Sequence, residues 1–137
     1  MIVIDASVTV KWIREEDNSK IALELLESHL SKTQEITVPL LLFCEVANMV
    51  ASKSLTRPNT IRKDLQTIFR AGLKIHKYTD TELIQTTLLS KRYQTSVYDM
   101  LYAVIARNLK TVLITADEKF ITKTKFRHVK LLSEYKP

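Results

Sequence analysis

Apolar residues fall along the chain in two alternating rhythms. Short β-branched runs give way to longer stretches with helical spacing, and the exchange repeats from end to end. Met1 to Ile4 reads as a buried strand that ends at Asp5, and residues 6–15 predict a first helix. Asn18 or Ser19 can cap a second helix, whose Ile21, Leu25, Leu26 and Leu30 share one face. Residues 35–39 predict a short strand closed by Pro39, and 40–55 a strongly apolar helix that breaks between Thr56 and Pro58. Pro58 suits the first turn of a helix over 58–71, with Gly72 as its C-terminal cap. A strand is expected over 73–78, then a helix capped by Thr79 or Asp80 and running to Tyr93, and another from Ser96 to Asn108. A strand over 111–116, a short helix after Asp117 and a last strand over 129–133 complete the pattern.

Strands that are apolar throughout and separated by helices imply a parallel sheet covered on both faces. Right-handed crossovers turn that α/β alternation into a three-layer α/β/α sandwich with a short, mainly parallel central sheet. In such sheets ligands bind beyond the carboxyl ends of the strands. The residues just after each strand are therefore the place to look for chemistry.

Composition narrows the classes. The 137 residues fit one domain spanning 1–137. A single glycine, Gly72, excludes both a P-loop and a dinucleotide-binding fingerprint. The lone cysteine, Cys44, has no disulfide partner and is expected as a small buried apolar residue within its greasy run. No Cys/His cluster suggests structural zinc, and His29, His76 and His128 are too scattered for a catalytic role. No apolar run approaches the ~20 residues that span a bilayer. The start lacks a basic leader, so the expected location is cytoplasmic and no membrane partner is expected. A net charge of +6, from 21 basic and 15 acidic residues, suits a polyanion and equally suits a soluble surface.

Against that basic background, four acids stand where the sheet rule directs attention. Asp5 ends the first strand and Asp117 follows the strand 111–116, so neighbouring strands would bring them to one edge. Asp99 lies in the first turn of the Ser96 helix, and Glu45 one turn into the helix after Pro39. Asp5 and Asp117 also fit as helix caps, and Asp99 as the far end of a capping box begun by Ser96. Glu45 fits no such role. It sits among Leu42, Phe43, Cys44, Val46 and Ala47, with Asn48 and Ser52 completing a narrow polar stripe at helical spacing. Four convergent carboxylates repel one another unless a cation joins them. All-oxygen ligation favours Mg²⁺ or Mn²⁺. Such an ion can activate water toward a phosphodiester, a chemistry that requires no catalytic His or Ser.

The segments IDAS (4–7), PLLLFCEVANMV (39–50), SVYDMLYAVIARNLK (96–110) and TVLITADEKF (111–120) together resemble PIN-domain nucleases, and among these the VapC-type toxins of toxin–antitoxin pairs. Their order and spacing cover nearly the whole chain, although 56–95 carries no motif. The resemblance implies that Asp5, Glu45, Asp99 and Asp117 are the metal-binding and catalytic acids, with Asn48 as the companion of Glu45. It implies that Ser7 and Thr115 are hydroxyls orienting those carboxylates. It further implies an Mg²⁺- or Mn²⁺-dependent endoribonuclease acting on tRNA, rRNA or mRNA, a VapB-type antitoxin and a homodimer. Lys11, Arg14, Arg92 and Lys119 are candidates for gripping RNA phosphates. Tyr98, Tyr102 and Trp12 read as packing residues.

Other readings remain open on the residues alone. A PIN-domain ribonuclease for RNA processing or decay would share every acid. A receiver-type signalling domain would need paired acids after the first strand and a phosphoacceptor ending the third, and neither is present. A phosphatase of the haloacid-dehalogenase type would need an acid at position 7, which is serine. A nonenzymatic nucleic-acid binder fits the charge and leaves the acids unexplained.

Overall fold

The computed structural model describes residues 1–53 and 57–137. Five strands form one sheet in the order β3-β2-β1-β4-β5, all parallel. They are β1 (Ile2–Ile4), β2 (Ile36–Val38), β3 (Lys74–Ile75), β4 (Leu113–Thr115) and β5 (Val129–Leu131). Seven helices connect them among the described residues: α1 (Ala6–Thr9), α2 (Ser19–Leu30), α3 (Leu41–Ala51), α4 (Pro58–Arg70), α5 (Asp80–Tyr93), α6 (Val97–Asn108) and α7 (Glu118–Thr124). Helices flank the central sheet, giving the α/β/α sandwich that the alternating rhythm predicts.

The sheet is central because its strands can face no water. Every residue of β1, β2 and β4 is buried, as expected for parallel strands covered on both sides. Strand β1 lies in the middle, pairing Val3 with Leu113 and Ile4 with Ile114 on one side and Ile2 with Ile36 on the other. Helix α6 is buried continuously from Met100 to Ala106 and packs on β1 and β4. A helix apolar around its whole circumference belongs inside, and this one anchors the core.

The local signals act at most ends. Pro58 opens α4 at its first turn, and Gly72 follows that helix with φ +65°, a conformation only glycine adopts cheaply. Thr79 and Glu82 close a reciprocal capping box at the start of α5. Asn18 precedes α2 in a left-handed conformation but makes no side-chain cap.

Three expectations require correction. The first helix does not run over 6–15: α1 ends at Thr9 and continues as a 3-10 turn over Val10–Trp12. The β-branched run Val8-Thr9-Val10 is a poor helix former, and Trp12 turns inward to donate its indole N–H to the Ala22 carbonyl at 2.8 Å. The third strand shrinks from 73–78 to Lys74–Ile75. It is an edge strand with one neighbour, and that neighbour, β2, itself ends at Val38, whose carbonyl accepts from the His76 N–H just past the end of β3. Cys44 is exposed, because α3 buries Leu42, Val46 and Val50 and Cys44 projects from another side. The apolar helix expected over 40–55 is described over Leu41–Ala51; residues 54–56, including the start of the expected break at Thr56, lie outside the described residues.

Candidate functional site

Because β1 and β4 are hydrogen-bonded neighbours running the same way, their last residues deliver Asp5 and Asp117 to the same edge of the sheet. Helix α3 brings Glu45 and Asn48 to that edge, and the first turn of α6 brings Asp99. Asp5, Ser7, Glu45, Asn48, Asp99 and Asp117 line one cleft of about 240 Å³. All four acids singled out from the sequence therefore meet in one place.

Asp5 is held most firmly. Its carboxylate accepts from the Ser7 hydroxyl at 2.5 Å, from the Thr115 hydroxyl at 2.5 Å and from the Val8 N–H at 3.3 Å, the last as the cap of α1. Both hydroxyls are themselves fixed, Ser7 Oγ by the Ala116 N–H at 2.9 Å and Thr115 Oγ1 by the Asp117 N–H at 3.0 Å. The strand-end sequence Thr115-Ala116-Asp117 and the segment Asp5-Ala6-Ser7 thus lock one another across the β1–β4 boundary. Asp117 caps α7 through Phe120 N–H at 2.9 Å, so its capping role and its place in the cleft coexist.

Asp99 settles its own alternative differently. Ser96 Oγ accepts from the Asp99 N–H at 3.0 Å, but the Asp99 carboxylate does not accept from the Ser96 backbone N–H. Half of a capping box forms, and the carboxylate is left to the cleft. Glu45 accepts a short hydrogen bond from the phenol of Tyr102, a side chain buried on α6. Sequence patterning places Tyr102 in the core and misses this second role. The signal was its position three residues after Asp99, which puts both on one face of α6.

The electrostatics tie the acids together. Burial pushes the Asp5 carboxyl up to about 6, against the pull of Ser7, Thr115 and Val8, and the negative charge of Asp99 adds to the rise. Glu45 is raised by burial and by Asp99 and Asp5, with Tyr102 opposing; Asp99 is raised by burial and by Asp117, with Ser96 opposing. Tyr102 is held protonated by burial and by the acids around it. Asp5, Glu45 and Asp99 are thus each raised in part by another acid of the cleft.

Among the described residues, no three His, Cys, Asp or Glu side chains are gathered into a finished metal cage. The donor set nevertheless fits a hard divalent cation. It is all carboxylate, its members disfavour one another's charge, and the cleft leaves room for water. Mg²⁺ is ordinarily held by one or two carboxylates, with water and phosphate oxygens completing the shell.

The basic candidates disperse. Lys11 is buried and paired with Glu16 at 3.2 Å, and Arg14 donates to the Met49 carbonyl at 3.0 Å; both border a separate surface cavity beside Trp12. The Arg92 guanidinium lies over the Tyr93 ring. Only Lys119 comes near the acids: with Ser96, Asp99, Asp117 and Lys123 it lines a small polar cavity adjoining the cleft. Lys123, which no sequence motif marks, donates to the Gln94 carbonyl at 2.7 Å there.

The family profile described as "PIN domain" matches residues 2–125. No curated protein matches the sequence significantly. Among solved structures, a toxin–antitoxin complex from Klebsiella pneumoniae is 15% identical with a TM-score of 0.72, the match covering 98% of this chain and 100% of that one. VapC20 of Mycobacterium tuberculosis, titled a sarcin–ricin loop cleaving toxin, is 12% identical with a TM-score of 0.70 over 90% of this chain and 95% of that one. VapBC2 from Rickettsia felis, solved with a DNA fragment from its promoter, is 19% identical with a TM-score of 0.67 over 96% and 98%. At these identities the structural likenesses establish a shared fold.

Proposed function

The chain belongs to the PIN-domain family, and from that premise we propose that it is a metal-dependent endoribonuclease, the toxin of a type II toxin–antitoxin pair. The observation that carries the nuclease reading is the cleft in which Asp5, Glu45, Asp99 and Asp117 meet beyond the carboxyl ends of β1 and β4. A cluster of acids in an otherwise basic protein is costly without a cation and useful with one.

In this reading Asp5, Glu45, Asp99 and Asp117 would hold Mg²⁺ or Mn²⁺, which when bound supplies Lewis-acid activation of water and neutralises charge on the phosphodiester. The chain's own residues do the positioning. Ser7 and Thr115 set the orientation of Asp5, and Tyr102 sets that of Glu45, leaving the opposite carboxylate lone pairs for the cleft. Asn48 borders the cleft beside Glu45 and can hydrogen-bond substrate or water. Lys119 and Lys123 in the adjoining cavity place positive charge where the RNA backbone would continue past the scissile phosphate.

The toxin assignment draws on the motif resemblance and on the toxins and toxin–antitoxin complexes among the structural neighbours. It brings with it a VapB-type antitoxin, a homodimer, a target among tRNA, rRNA or mRNA, and a cytoplasmic site of action for the domain 1–137. Among the described residues no helix is long and apolar enough to cross a membrane. The decisive experiment is cleavage of a labelled structured RNA by the purified protein, with EDTA and then with excess Mg²⁺ or Mn²⁺. Loss and recovery of cleavage are expected. Undiminished cleavage in EDTA, or in Asp99→Asn, would end the metal mechanism. Growth arrest on expression, relieved by co-expressing a small neighbouring gene, is the outcome expected of a toxin.

A further inference from the structure

Helix α4 and the residue before it are more basic than the fold requires. Between Arg57 and Arg70 four bases stand against one acid, Asp64, a net +3 out of the chain's +6. At ~100° per residue, Asn59, Arg62, Lys63, Gln66 and Arg70 fall within one arc of the helix. All five are exposed, and Asp64 lies outside the arc. Among the described residues none of the four bases is ion-paired. Nor do they serve the helix itself. Arg57 stands at its N-terminal cap and its first turn holds no acid, although the helix dipole favours negative charge there. Helix α5 follows the dipole, with Asp80 and Glu82 in its first turn and Lys91 and Arg92 in its last. The far side of α4 belongs to the core, through Ile61, Leu65 and the buried Ile68.

The arc is also placed with respect to the acids. The Phe43 ring, early in α3, meets the Phe69 ring, late in α4, at 5.7 Å between centroids. The two helices therefore run antiparallel, and the Arg57 end of α4 lies toward the end of α3 that brings Asn48 and Met49 to the acidic cleft. From there the arc leads away from the cleft for ~18 Å, at ~1.5 Å per residue. We propose that this outward face of α4 is a docking surface for a base-paired stem of RNA, which holds a structured substrate while an adjoining loop enters the cleft. Bases without acidic partners suit backbone phosphates. The amides of Asn59 and Gln66 both donate and accept, as contacts to 2′-hydroxyls in the wide minor groove of an RNA duplex require. A single strand is gripped by stacking its bases on aromatic rings. The arc has no such ring, and the half-exposed Phe69 at its border lies against Phe43. An anionic membrane takes up a helix by its apolar face, and that face of α4 is on the core.

The choice of RNA as the polyanion rests on the nuclease reading, but docking needs no cleavage and is measured without it. The test is fluorescence anisotropy of the full chain in EDTA with three labelled probes: an RNA hairpin, the same hairpin as DNA, and oligouridylate. The RNA hairpin is expected to bind most tightly. Arg62→Gln, Lys63→Gln and Arg70→Gln should each flatten the slope of log K against log salt by about 1. All three together should weaken hairpin binding by more than about tenfold. Asn59→Ala with Gln66→Ala should narrow the preference for the RNA hairpin over the DNA one. Glutamine is a good helix former, and melting of each variant checks that the fold is intact. A triple variant that binds the RNA hairpin as wild type does would overturn the surface. Oligouridylate bound as tightly as the hairpin would overturn the stem, and DNA bound as tightly would overturn the part given to Asn59 and Gln66. Capture by phosphatidylserine vesicles with no binding of the hairpin would overturn the proposal in favour of a membrane. Hairpin binding through the arc by a protein that cleaves no RNA would sink the nuclease reading alone. EDTA-sensitive cleavage of structured RNA with an unchanged KM in the triple variant would sink the docking surface alone.

Discussion

Asp5 and Glu82 are both carboxylates withdrawn from water, and their surroundings treat them in opposite ways. Burial drives each toward the neutral form. At Glu82 that push is outweighed by His76 Nε2 at 2.9 Å, the Thr79 N–H at 3.1 Å and the Asn108 amide at 3.2 Å, so its carboxyl ends below the usual range. At Asp5 the hydroxyls of Ser7 and Thr115 and the N–H of Val8 do not suffice, and the charge of Asp99 adds to the rise. One carboxylate is built into a structure that satisfies it; the other keeps a raised pKa that, in the proposed function, a bound cation would relieve. In the proposed function, the contrast separates a structural acid from a ligating one better than burial does.

The largest expected effect lies in the cleft. Asp5→Asn and Asp99→Asn should each reduce metal-dependent RNA cleavage by orders of magnitude, read as kcat in a single-turnover assay, with melting temperatures no lower than wild type. Glu82→Gln should do the reverse, leaving cleavage per folded molecule near wild type while lowering stability. If Glu82→Gln silenced cleavage, or Asp5→Asn left it intact, the division between the two acids would collapse.

Next in size is the support of the cleft. Tyr102→Phe removes one hydroxyl and keeps the buried ring, and Thr115→Val does the same for the Asp5 side. Loss of such an orienting group typically costs 10–100-fold in metal affinity or activity. The check is Mn²⁺ affinity by calorimetry, because a merely structural role for Tyr102 would lower stability without weakening metal binding.

The stability effect at Glu82 is smaller in free energy and sharper in meaning. Glu82→Gln leaves partners of a buried network mismatched, a loss of about 2–3 kcal/mol in urea unfolding. The pH dependences have opposite signs. Asp5 has a folded value raised to about 6, above its unfolded ~3.9. Its contribution to metal-free stability is therefore complete below pH ~4 and lost as pH rises through ~6, by at most about 3 kcal/mol. Glu82, lowered on folding, contributes above its unfolded value and loses that contribution as pH falls through its folded one. Melting curves of the metal-free protein from acid to neutral pH should show Asp5→Asn gaining on wild type as pH rises. Added Mg²⁺ should shrink that gain in the neutral range.

How much of this could be read along the chain depends on which forces are local. The strand ends were legible because Asp5 and Asp117 terminate short apolar runs, and a parallel sheet sends such residues to one edge. The caps at Thr79 and Ser96 were legible because each answers backbone groups a few residues away, and Pro58 because its fixed φ suits the first turn of a helix. The truncation of α1 was legible only in part: the run Val8-Thr9-Val10 weakens the helix locally, whereas the inward turn depends on Trp12 reaching Ala22 in another helix. The shortness of β3 was not legible, since that strand lies at the sheet edge against a neighbour that ends at Val38. The scatter of Lys11, Arg14 and Arg92 away from the cleft has the same origin: a long cationic side chain settles where a carbonyl, an acid or a ring receives it, and sequence spacing does not record that.

Cys44 supplies the smallest prediction and tests the same distinction between local pattern and fold. Its neighbours on the chain are apolar, so a window average puts it inside; its angular position on α3, away from Leu42, Val46 and Val50, puts it outside. Cys44→Ser should therefore change unfolding free energy by no more than about 0.5 kcal/mol, as for surface positions generally. The native protein should react with a thiol reagent at a rate near that of the urea-unfolded chain. A loss of several kcal/mol, or a thiol protected until unfolding, would mean that α3 is rotated about its axis. Glu45, one residue further along, would then turn away from Tyr102 and the cleft, and the acidic cluster around Asp5 would lose a member.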